Sequence, residues 1–477
     1  MVRIARLELS DAATIKQLAT AYGLPRLKRF LKHIDHRQTG PNERFGRRYQ
    51  RSVLRRGGLR LLSPKTGEPV LATESVAING KTFYRFVEAE RAGTPIEYFV
   101  IASRIRFGFP LVGLFVPEKN VLLSWEHGGK HAVTNRHLTA LTEARSAQHP
   151  SVRISEAPVI LMGHTSFAHH LWNELSALDT IIRSDCLPPA SAILVAREPL
   201  GKIEEIFPEL LGCQITRVDP GPPLCGFRTG GLFVNLGALC IPEQLRRRMV
   251  AFAQSRSSAA ARAIIAELPQ IGGPIFWISV RTQNPTLTNQ HDVLVRVACL
   301  LLHRYGNCGI VFDGFSLPED WMRTAEDMQT TYARLASESH KASEAIIASI
   351  RALSPPGPRQ LVTSIAGMSL LDCFAIAQCA TVYLCHEGSI QHKIGWTANV
   401  PGIIHGNRRV SADGLVARHS ARLENGLAPL ITPREMLADV VTGHKERNYV
   451  CIDPPEFSRF VLDYFRRCLS LATRAPC

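Results

Sequence analysis

Four polar loops of this chain, each directly after a predicted buried strand, carry the side chains that chemistry needs. In open parallel α/β sheets, ligands bind beyond the carboxyl ends of the strands, so the residues that follow each strand are the informative ones. The predicted strands lie at residues 158–162, 275–280, 310–312 and 382–385. The loops after them differ in their acid–base and anion-binding residues.

Histidines and a carboxylate crowd the first loop, which reads GHTSFAHHLWNE over residues 163–174. His170 and Glu174 stand four residues apart, so they share one helix face, and His169 shares another with Asn173. A carboxylate one helical turn away orients an imidazole and raises its basicity. We therefore predict His170, oriented by Glu174, as the general base for a hydroxyl group, with His169 beside it.

The same loop has two other interpretations. Phe167 and Leu171 lie on the core-facing side of the predicted helix, so the histidines could be partly buried structural residues. A metal site is the third interpretation, although the zinc pattern H-E-x-x-H is absent. If the loop binds the molecule that carries the hydroxyl group, His164 and Asn173 are the predicted contacts.

An arginine begins the second loop, which reads RTQN over residues 281–284. Arg281 can bind a diphosphate through paired N–H donors, and Asn284 adds a side-chain amide. The alternative is a surface arginine in a polar loop.

Asp313 ends the third strand and is followed by a glycine. This Asp-Gly pair either lines a base or ribose pocket or forms a tight turn.

The fourth loop, CHEGSIQHK, runs from a strand through a turn of small residues into a helix. Backbone N–H groups at such a helix start form an anion site. Ser389 is expected to cap this helix, Gly388 permits close approach of a ligand, and Lys393 lies one turn further on. We predict phosphate or sugar binding here, with His386 and Glu387 in the same turn.

Several motifs that would indicate other functions are missing. No G-x-G-x-x-G follows a predicted strand, and neither a Walker A sequence nor a G-x-S-x-G elbow occurs, which disfavours dehydrogenases, NTPases and α/β-hydrolases. None of the 14 aspartates forms a D-x-D pair. We therefore predict no metal and no cofactor. Arginine, lysine and a helix N-terminus would neutralise the charge of a leaving group instead.

The pattern of elements predicts an α/β protein with two Rossmann-like lobes, each built on a parallel sheet. A basic helical extension occupies residues 1–60, and a β-rich segment at 61–150 packs on the first lobe, with a hairpin turn at Asn79-Gly80. The first lobe is predicted at residues 151–270 and the second at 271–477. Gly272-Gly273-Pro274 is interpreted as the linker between them.

Most of the excess positive charge lies in the first eighth of the chain. The formal net charge is +15, and residues 1–60 contribute +11 through 15 Lys/Arg and 4 Asp/Glu. Such a surface attracts anionic membranes, polyanionic glycans or nucleic acid about equally, and no nucleic-acid motif accompanies it. A solvated pair of basic helices with no partner is the other interpretation.

Cysteine usage and hydropathy predict a cytoplasmic protein, with peripheral contact to the inner membrane face as a further option. The 12 cysteines include no C-x-x-C pair, which favours free, reduced thiols over disulfides or a structural zinc site. No apolar run approaches the roughly 20 residues that span a bilayer. The N-terminus lacks the apolar segment of a signal peptide.

Three stretches resemble glycosyltransferase family 61 and related bacterial enzymes of capsular polysaccharide biosynthesis. They are the helix HHLWNE that begins at His169, the strand WISVR that ends at Arg281, and the turn HEGS that begins at His386. The resemblance covers roughly residues 150–405, and it departs from the family pattern His-Gly-Ala by the inserted Glu387 and by Ser389. It implies a GT-B architecture and a nucleotide-sugar donor.

From this resemblance we expect a glycosyltransferase that moves a sugar to a saccharide or glycolipid acceptor by metal-independent displacement with inversion. His170 would deprotonate the acceptor, and Arg281, Ser389 and Lys393 would hold the departing nucleoside diphosphate. The second lobe would bind the donor and the first lobe the acceptor. A non-catalytic nucleotide-binding or glycan-binding protein of the same fold is the alternative, and a nucleic-acid-binding protein is a third possibility.

Overall fold

The computed structural model of this protein describes the greater part of its 477 residues. The described residues are 2–34, 43–72, 74–78, 80–88, 96–106, 109–125, 132–146, 158–188, 191–218, 232–283, 285–408, 410, 422–440 and 447–472. They form two compact units. The first comprises Met1–Thr165, His169–Arg197 and Ile203–Leu239, and the second comprises Ser166–Ala168, Glu198–Lys202 and Cys240–Cys477.

The N-terminal extension is helical, as predicted, but it also supplies an edge strand. The elements are β1 (Arg3–Arg6), α1 (Ala12–Tyr22), α2 (Leu27–Ile34) and α3 (Glu43–Arg56). Helix α1 begins at an Asp11 cap, whose carboxylate accepts hydrogen bonds from the backbone N–H groups of Ala13 and Thr14, and it ends at Gly23 with φ of 66°. Helix α2 buries one apolar face against the unit.

Antiparallel strands build the β-rich segment of the first unit. Their bounds are β2 (Leu59–Leu62), β3 (Pro69–Ala72), β4 (Glu74–Ile78), β5 (Lys81–Glu88), β6 (Ile96–Arg106), β7 (Phe109–Val116) and β8 (Val121–Ser124), and helix α4 (Asn135–Ser146) follows them. Strands β2 and β3 form a separate ribbon, while the others form a sheet of order β1-β8-β7-β6-β5-β4. The predicted hairpin is confirmed, because Ile78 pairs with Lys81 across two residues and Gly80 has φ of 74°.

A small parallel sheet follows in the first unit. Its strands are β9 (Val159–Met162), β10 (Ala192–Val195), β11 (Gln214–Arg217) and β12 (Phe233–Asn235), in the order β11-β10-β9-β12. The β-rich segment packs on it: Phe233 N–H donates to Ser75 Oγ at 2.8 Å, and Tyr84 donates to Phe233 O at 2.5 Å.

The helix predicted over residues 167–182 is interrupted by a wider turn. Helix α5 (Phe167–His169) leads into a π-helix (His170–Leu175) and then into α6 (Ser176–Arg183), and α7 (Ile203–Ile206) follows β10. Ser176 N–H donates to Leu171 O, five residues back, which is the π-helical pattern. Such insertions occur often at functional sites.

Helices α8 (Glu243–Arg256) and α9 (Ala259–Glu267) belong to the second unit, so the boundary lies after Leu239 and not near residue 270. The physical reason is that these helices are tied to elements far along the chain. Ser258 N–H donates to Asp372 Oδ1 at 2.7 Å, and Arg246 Nη1 donates to Thr397 O at 2.7 Å. The predicted linker is therefore a turn within the second unit.

The second unit contains a larger parallel sheet. Its strands are β13 (Ile275–Ser279), β14 (Cys308–Asp313), β15 (Gln360–Ser364), β16 (Val382–His386), β17 (Gly402–His405) and β18 (Leu430–Ile431), in the order β15-β14-β13-β16-β17-β18. Numbered from β13, this is the order 3-2-1-4-5-6 of doubly wound nucleotide-binding sheets. The order reverses between β13 and β16, and ligands of such sheets bind at that switch point.

Helices cover both faces of this sheet. The remaining elements are α10 (Gln290–Arg304), α11 (Glu326–Leu353), α12 (Leu370–Ala377), α13 (Ser389–Thr397), β19 (Leu437–Val440), β20 (Asn448–Cys451) and α14 (Pro454–Ala472). One apolar core joins the sheet to α10, α11 and α14, and another joins it to α9, α12 and α13. The predicted fold class, two α/β lobes with parallel sheets, is confirmed. Among the described residues, no helix is both long and apolar enough to cross a membrane.

Candidate functional site

The carboxyl ends of β13 and β16 are held together by a side-chain hydrogen bond. Ser279, the last residue of β13, is fully buried, and its Oγ accepts the backbone N–H of His386 at 2.8 Å. On the other side of β13, Val280 N–H donates to Asp313 O at 2.6 Å. Because three strand ends are fixed in this way, the loops that leave them have defined starting positions at the switch point.

Arg281 extends its side chain from β13 to the turn after β16. Its Nη1 donates to Glu387 O at 2.7 Å, and its Nε donates to Gln283 O at 3.1 Å. Burial lowers the pKa of Arg281, but an arginine stays protonated in proteins. Two of its five N–H donors are used in these bonds, and the other three make no hydrogen bond within the part of the chain that the structure describes. The site therefore holds a fixed cation with open donors.

The backbone of Arg281 is held as firmly as its side chain. Gln290, the first residue of α10, accepts from Arg281 N at 3.1 Å and donates to Arg281 O at 2.8 Å. Thr286 Oγ1 donates to the same carbonyl at 2.7 Å. The side chain thus projects from a loop that cannot easily change its direction.

The turn after β16 needs glycine at position 388. Gly388 has φ of 113°, and a Cβ there would lie 3.3 Å from Arg281 Nη1. Helix α13 starts at the next residue with Gly388 as its N-cap and with no side-chain cap, so the prediction that Ser389 caps the helix is wrong. The N–H groups of Ser389 and Ile390 make no hydrogen bond among the described residues. They provide two open donors near the Arg281 guanidinium.

Tyr449 joins two buried imidazoles beneath this turn. Its hydroxyl lies 2.7 Å from His386 Nδ1 and 2.9 Å from His405 Nδ1. Burial lowers the pKa of His386 well below its usual value and that of His405 to about 3, and it raises the pKa of Tyr449. The hydroxyl has one proton, which it can donate to one of the two imidazoles or to the backbone carbonyl oxygen of His405 at 3.4 Å. Both rings are neutral, and the hydroxyl links them.

The same tyrosine is tied to the loop that carries Arg281. Tyr449 N–H donates to Thr286 O at 3.0 Å, and Thr288 N–H donates to Tyr449 O at 2.8 Å. The hydroxyl thus fixes the ends of β16 and β17, while the backbone fixes the loop after β13. The His386 side chain is 1% exposed, so it supports the turn from within and does not have the predicted position of a surface ligand.

Lys393 and Asp313 form a buried ion pair instead of contacting solvent. Lys393 Nζ donates to Asp313 Oδ1 at 2.6 Å, to Gly314 O at 2.6 Å and to Ser316 Oγ at 2.8 Å. These bonds use all three ammonium protons, and both side chains are almost fully buried. Burial raises the pKa of Asp313, and the neighbouring Lys393 opposes that rise. The structure thus contradicts direct phosphate binding by Lys393 and a ribose contact by Asp313.

The other two predicted donor-side residues have different outcomes. Glu387 contributes its backbone carbonyl to Arg281, and the residue is half-buried. Asn284 lies outside the described residues. Of the predicted set, the structure therefore brings together Arg281, Gly388 and the exposed Ser389 at the switch point.

In the first unit, Glu174 holds the loop after β9. Its carboxylate accepts from Gly163 N at 3.1 Å, from His164 N at 3.1 Å and from His170 Nδ1 at 2.7 Å. The His170 side chain is fully buried, and its Nε2 has no hydrogen-bond partner among the described residues. The ring is thus closed off from solvent, and the role of His170 as a base for a substrate hydroxyl stays a prediction.

His169, one residue earlier, is exposed and has a fixed orientation. Asn173 Nδ2 donates to Ala238 O at 2.7 Å, which directs Asn173 Oδ1 to His169 Nδ1 at 2.9 Å. His169 therefore carries its proton on Nδ1, and its basic lone pair is on Nε2. The ring stacks on His164 and Trp172 at centroid distances of 4.5 and 5.5 Å. Of the two adjacent histidines, His169 is the exposed one.

The described residues contain no group of three or more histidine, cysteine or acidic side chains that could hold a metal ion. Sequence reasoning missed Tyr449 and His405 in this site. His405 ends β17, so the rule that singled out the other strand ends would have found it. The contacts of Tyr449 depend on folding between distant segments, and the sequence carries no local signal for them.

Comparisons with known proteins give only remote similarity. No protein-family model and no curated protein matches this chain. Among solved structures, the chain is similar to the E. coli heptosyltransferase WaaC with ADP, at 11% identity and a TM-score of 0.29, over 64% of this chain and 99% of that one. A glycosyltransferase from Rickettsia africae has 10% identity and a TM-score of 0.31, over 65% of this chain and 88% of that one.

A third similar structure bears the name of a different kind of enzyme, a putative UDP-N-acetylglucosamine 2-epimerase from Listeria monocytogenes. It has 9% identity and a TM-score of 0.26, over 52% of this chain and 78% of that one. At these values the similarities carry no inference about function. The function is therefore inferred from the residues of this chain.

The buried histidines predict a pH dependence of stability. Burial holds the pKa of His405 at about 3, below its usual value of 6.5, so acid favours the unfolded chain. The free energy of unfolding should fall as the pH drops from about 6.5 toward 3, by at most about 1.4 kcal/mol per pH unit for this residue. Urea unfolding of the wild type and of His405→Asn at several pH values measures the difference. Parallel pH dependences in the two proteins would contradict a neutral, buried His405.

Proposed function

We propose that this protein is a glycosyltransferase that moves a sugar from a nucleotide-sugar donor to a saccharide or glycoconjugate acceptor. The observation that carries the proposal is the approach of Arg281 to the start of α13 at the switch point of the second sheet. Arg281 Nη1 lies 2.7 Å from Glu387 O, one residue before the uncapped helix start. Fixed positive charge and open N–H groups in one place suit a diphosphate.

The chemistry of sugar transfer explains why such a site is useful. When the bond between the anomeric carbon and the diphosphate oxygen breaks, negative charge develops on the nucleoside diphosphate. The open donors of Arg281 and the N–H groups of Ser389 and Ile390 would stabilise that charge, and they are already oriented before the reaction. Gly388 allows the phosphate oxygens to approach the backbone closely, since it has no side chain.

In this proposal the acceptor is activated by His169 of the first unit, and not by His170. The acceptor hydroxyl gives its proton to His169 Nε2, its oxygen forms a bond to the anomeric carbon, and the bond to the diphosphate breaks with its electron pair on the leaving group. This direct displacement inverts the anomeric configuration. Asn173 holds the tautomer that the step requires, and Glu174 with His170 supports the loop on which His164 lies.

We also propose that transfer needs no divalent cation. The support is the absence of a D-x-D pair among the 14 aspartates, together with the Arg281 guanidinium and the open N–H groups at the start of α13, which can neutralise a diphosphate in place of a metal ion. The resemblance to family 61 and a role in polysaccharide biosynthesis remain predictions, because the site residues do not identify the acceptor.

A non-catalytic nucleotide-binding protein is the second candidate. The observation that favours it is the complete burial of His170, the histidine with the carboxylate partner. A binding protein would keep Arg281 and the turn at Gly388, and it would lack any need for His169. Release of free sugar or sugar transfer from a nucleotide-sugar distinguishes the two candidates, because only an enzyme consumes the donor.

Removal of the Arg281 guanidinium tests the diphosphate site. Hydrogen bonds to charged groups contribute about 1.5–3 kcal/mol each, so Arg281→Ala should weaken the binding of inorganic pyrophosphate, UDP, ADP and GDP by about tenfold or more, wherever the wild type binds them. Isothermal titration calorimetry gives the dissociation constants. Arg281→Lys keeps the charge but loses the paired donors, so it should be intermediate.

Arg359→Ala serves as the matched control, because this exposed arginine lies in the same unit and its side chain makes no hydrogen bond with another described residue. Its pyrophosphate affinity should equal that of the wild type. An Arg281→Ala protein that binds pyrophosphate as tightly as this control would overturn the proposed site.

Two histidine variants test the proposed base. A general base contributes about 10²–10⁴-fold to the rate, so His169→Ala should lower kcat by about a hundredfold or more and leave the dissociation constant for UDP or ADP unchanged. Asn173→Ala leaves the His169 ring in place but removes the hydrogen bond that orients it, so kcat should fall by a smaller factor. Turnover is measured with a panel of nucleotide-sugars on the wild type first. Full activity in His169→Ala would remove this residue from the role.

A further inference from the structure

The β2–β3 ribbon of the first unit has one buried face and one exposed face. Its register pairs Leu59 with Ala72 and Arg60 with Leu71. Leu59, Leu61 and Ala72 are buried in the unit. Since side chains alternate along a strand, the opposite face presents Arg60 and Leu71, and Leu71 is 50% exposed. An exposed leucine beside an arginine therefore lies at the centre of an outward face.

Arginines lie near both ends of the ribbon. At the turn between the strands, Gly67 lies against Arg26 and Arg29, because a Cβ at that glycine would be 3.3 Å from each side chain. At the other end, Arg55 and Arg56 close helix α3 immediately before β2. All of these arginines are exposed. We call the ribbon surface the set formed by Arg26, Arg29, Arg55, Arg56, Arg60 and Leu71.

The positive charge of the ribbon surface is poorly compensated. None of its five arginines forms an ion pair with another described residue. Arg55 uses one donor on the carbonyl oxygen of Ser184, at 3.1 Å, which leaves its charge unpaired. Glu68, in the turn of the ribbon, and Glu74, two residues after β3, are the exposed acidic residues nearest to Leu71 in sequence, and Glu74 is paired with Arg85. The surface therefore attracts anions, and the +11 of residues 1–60 strengthens that attraction.

The combination of residues identifies the kind of anion. Single-stranded nucleic acid binds through basic residues interleaved with exposed aromatic rings, and the ribbon surface contains no aromatic side chain. A soluble polyanion gains nothing from an exposed leucine. An anionic bilayer uses both features, because phosphate headgroups pair with arginine while an apolar side chain enters the boundary of the acyl chains. We propose that the ribbon surface docks the protein on anionic phospholipid membranes.

This proposal is independent of the donor site, since every residue of the ribbon surface belongs to the first unit and none belongs to the loops after β13 and β16. The test is cosedimentation of the full-length protein with vesicles of phosphatidylcholine alone and of phosphatidylcholine mixed with phosphatidylglycerol. The wild type should bind the mixed vesicles, should bind phosphatidylcholine weakly, and should be released as the salt concentration rises. Equal binding to both kinds of vesicle would overturn the proposal.

Three variants locate the contact. Arg60→Glu should lower the affinity for the mixed vesicles by about tenfold or more, and Leu71→Ser should lower it by about tenfold because it removes the apolar contact. Arg359→Glu, the same change of charge in the second unit, should leave binding unchanged. Melting temperatures and pyrophosphate binding establish that each variant is folded.

The outcomes separate the alternatives. If Arg60→Glu and Arg359→Glu weaken binding equally, net charge alone is responsible and the ribbon surface is not the contact. If Leu71→Ser binds the mixed vesicles like the wild type, no apolar contact with lipid exists, and the surface is a general anion site without the proposed preference for a bilayer. Heparin binding that is insensitive to Leu71→Ser but sensitive to Arg60→Glu would support that general anion site.

Discussion

The hydrogen bond from Arg281 Nη1 to the carbonyl oxygen of Glu387 is the interaction on which the candidate donor site depends. It joins the loop after the first strand of the second sheet to the turn after the fourth. A bond between Ser279 and the backbone of His386 fixes the strand ends beneath it. Both contacts lie at the point where the strand order reverses, which is where sheets of this topology bind their ligands. The position of the candidate donor site thus follows from the strand order of the second sheet.

Burial determines which groups near this bond can carry charge. The imidazoles of His386 and His405 are held neutral around the Tyr449 hydroxyl, and the charge of Lys393 is paired with Asp313 inside the unit. A buried charge without a partner would be costly, so each of these groups is either neutral or neutralised. The guanidinium of Arg281, with its open donors, is what remains for an anionic ligand.

Much of the second unit could be predicted from the sequence, because its strands are continuous apolar runs that end at polar residues. The same rule singled out Arg281 and Gly388, which follow two strands directly and which the structure brings close together. It did not reveal that Lys393 and His170 are buried, because spacing along a helix does not reveal which face is buried. Tyr449 was missed since its partners are distant in sequence, and the lobe boundary was misplaced because α8 and α9 pack on elements that follow them by about a hundred residues.

The central claim is that protein groups alone, without a divalent cation, neutralise a diphosphate at the switch point of the second sheet. The most direct measurement is the dissociation constant of inorganic pyrophosphate, determined by calorimetry in EDTA and again in excess Mg²⁺. The account predicts saturable binding in EDTA with an affinity similar to that in Mg²⁺. Binding that appears only when Mg²⁺ is present would contradict it.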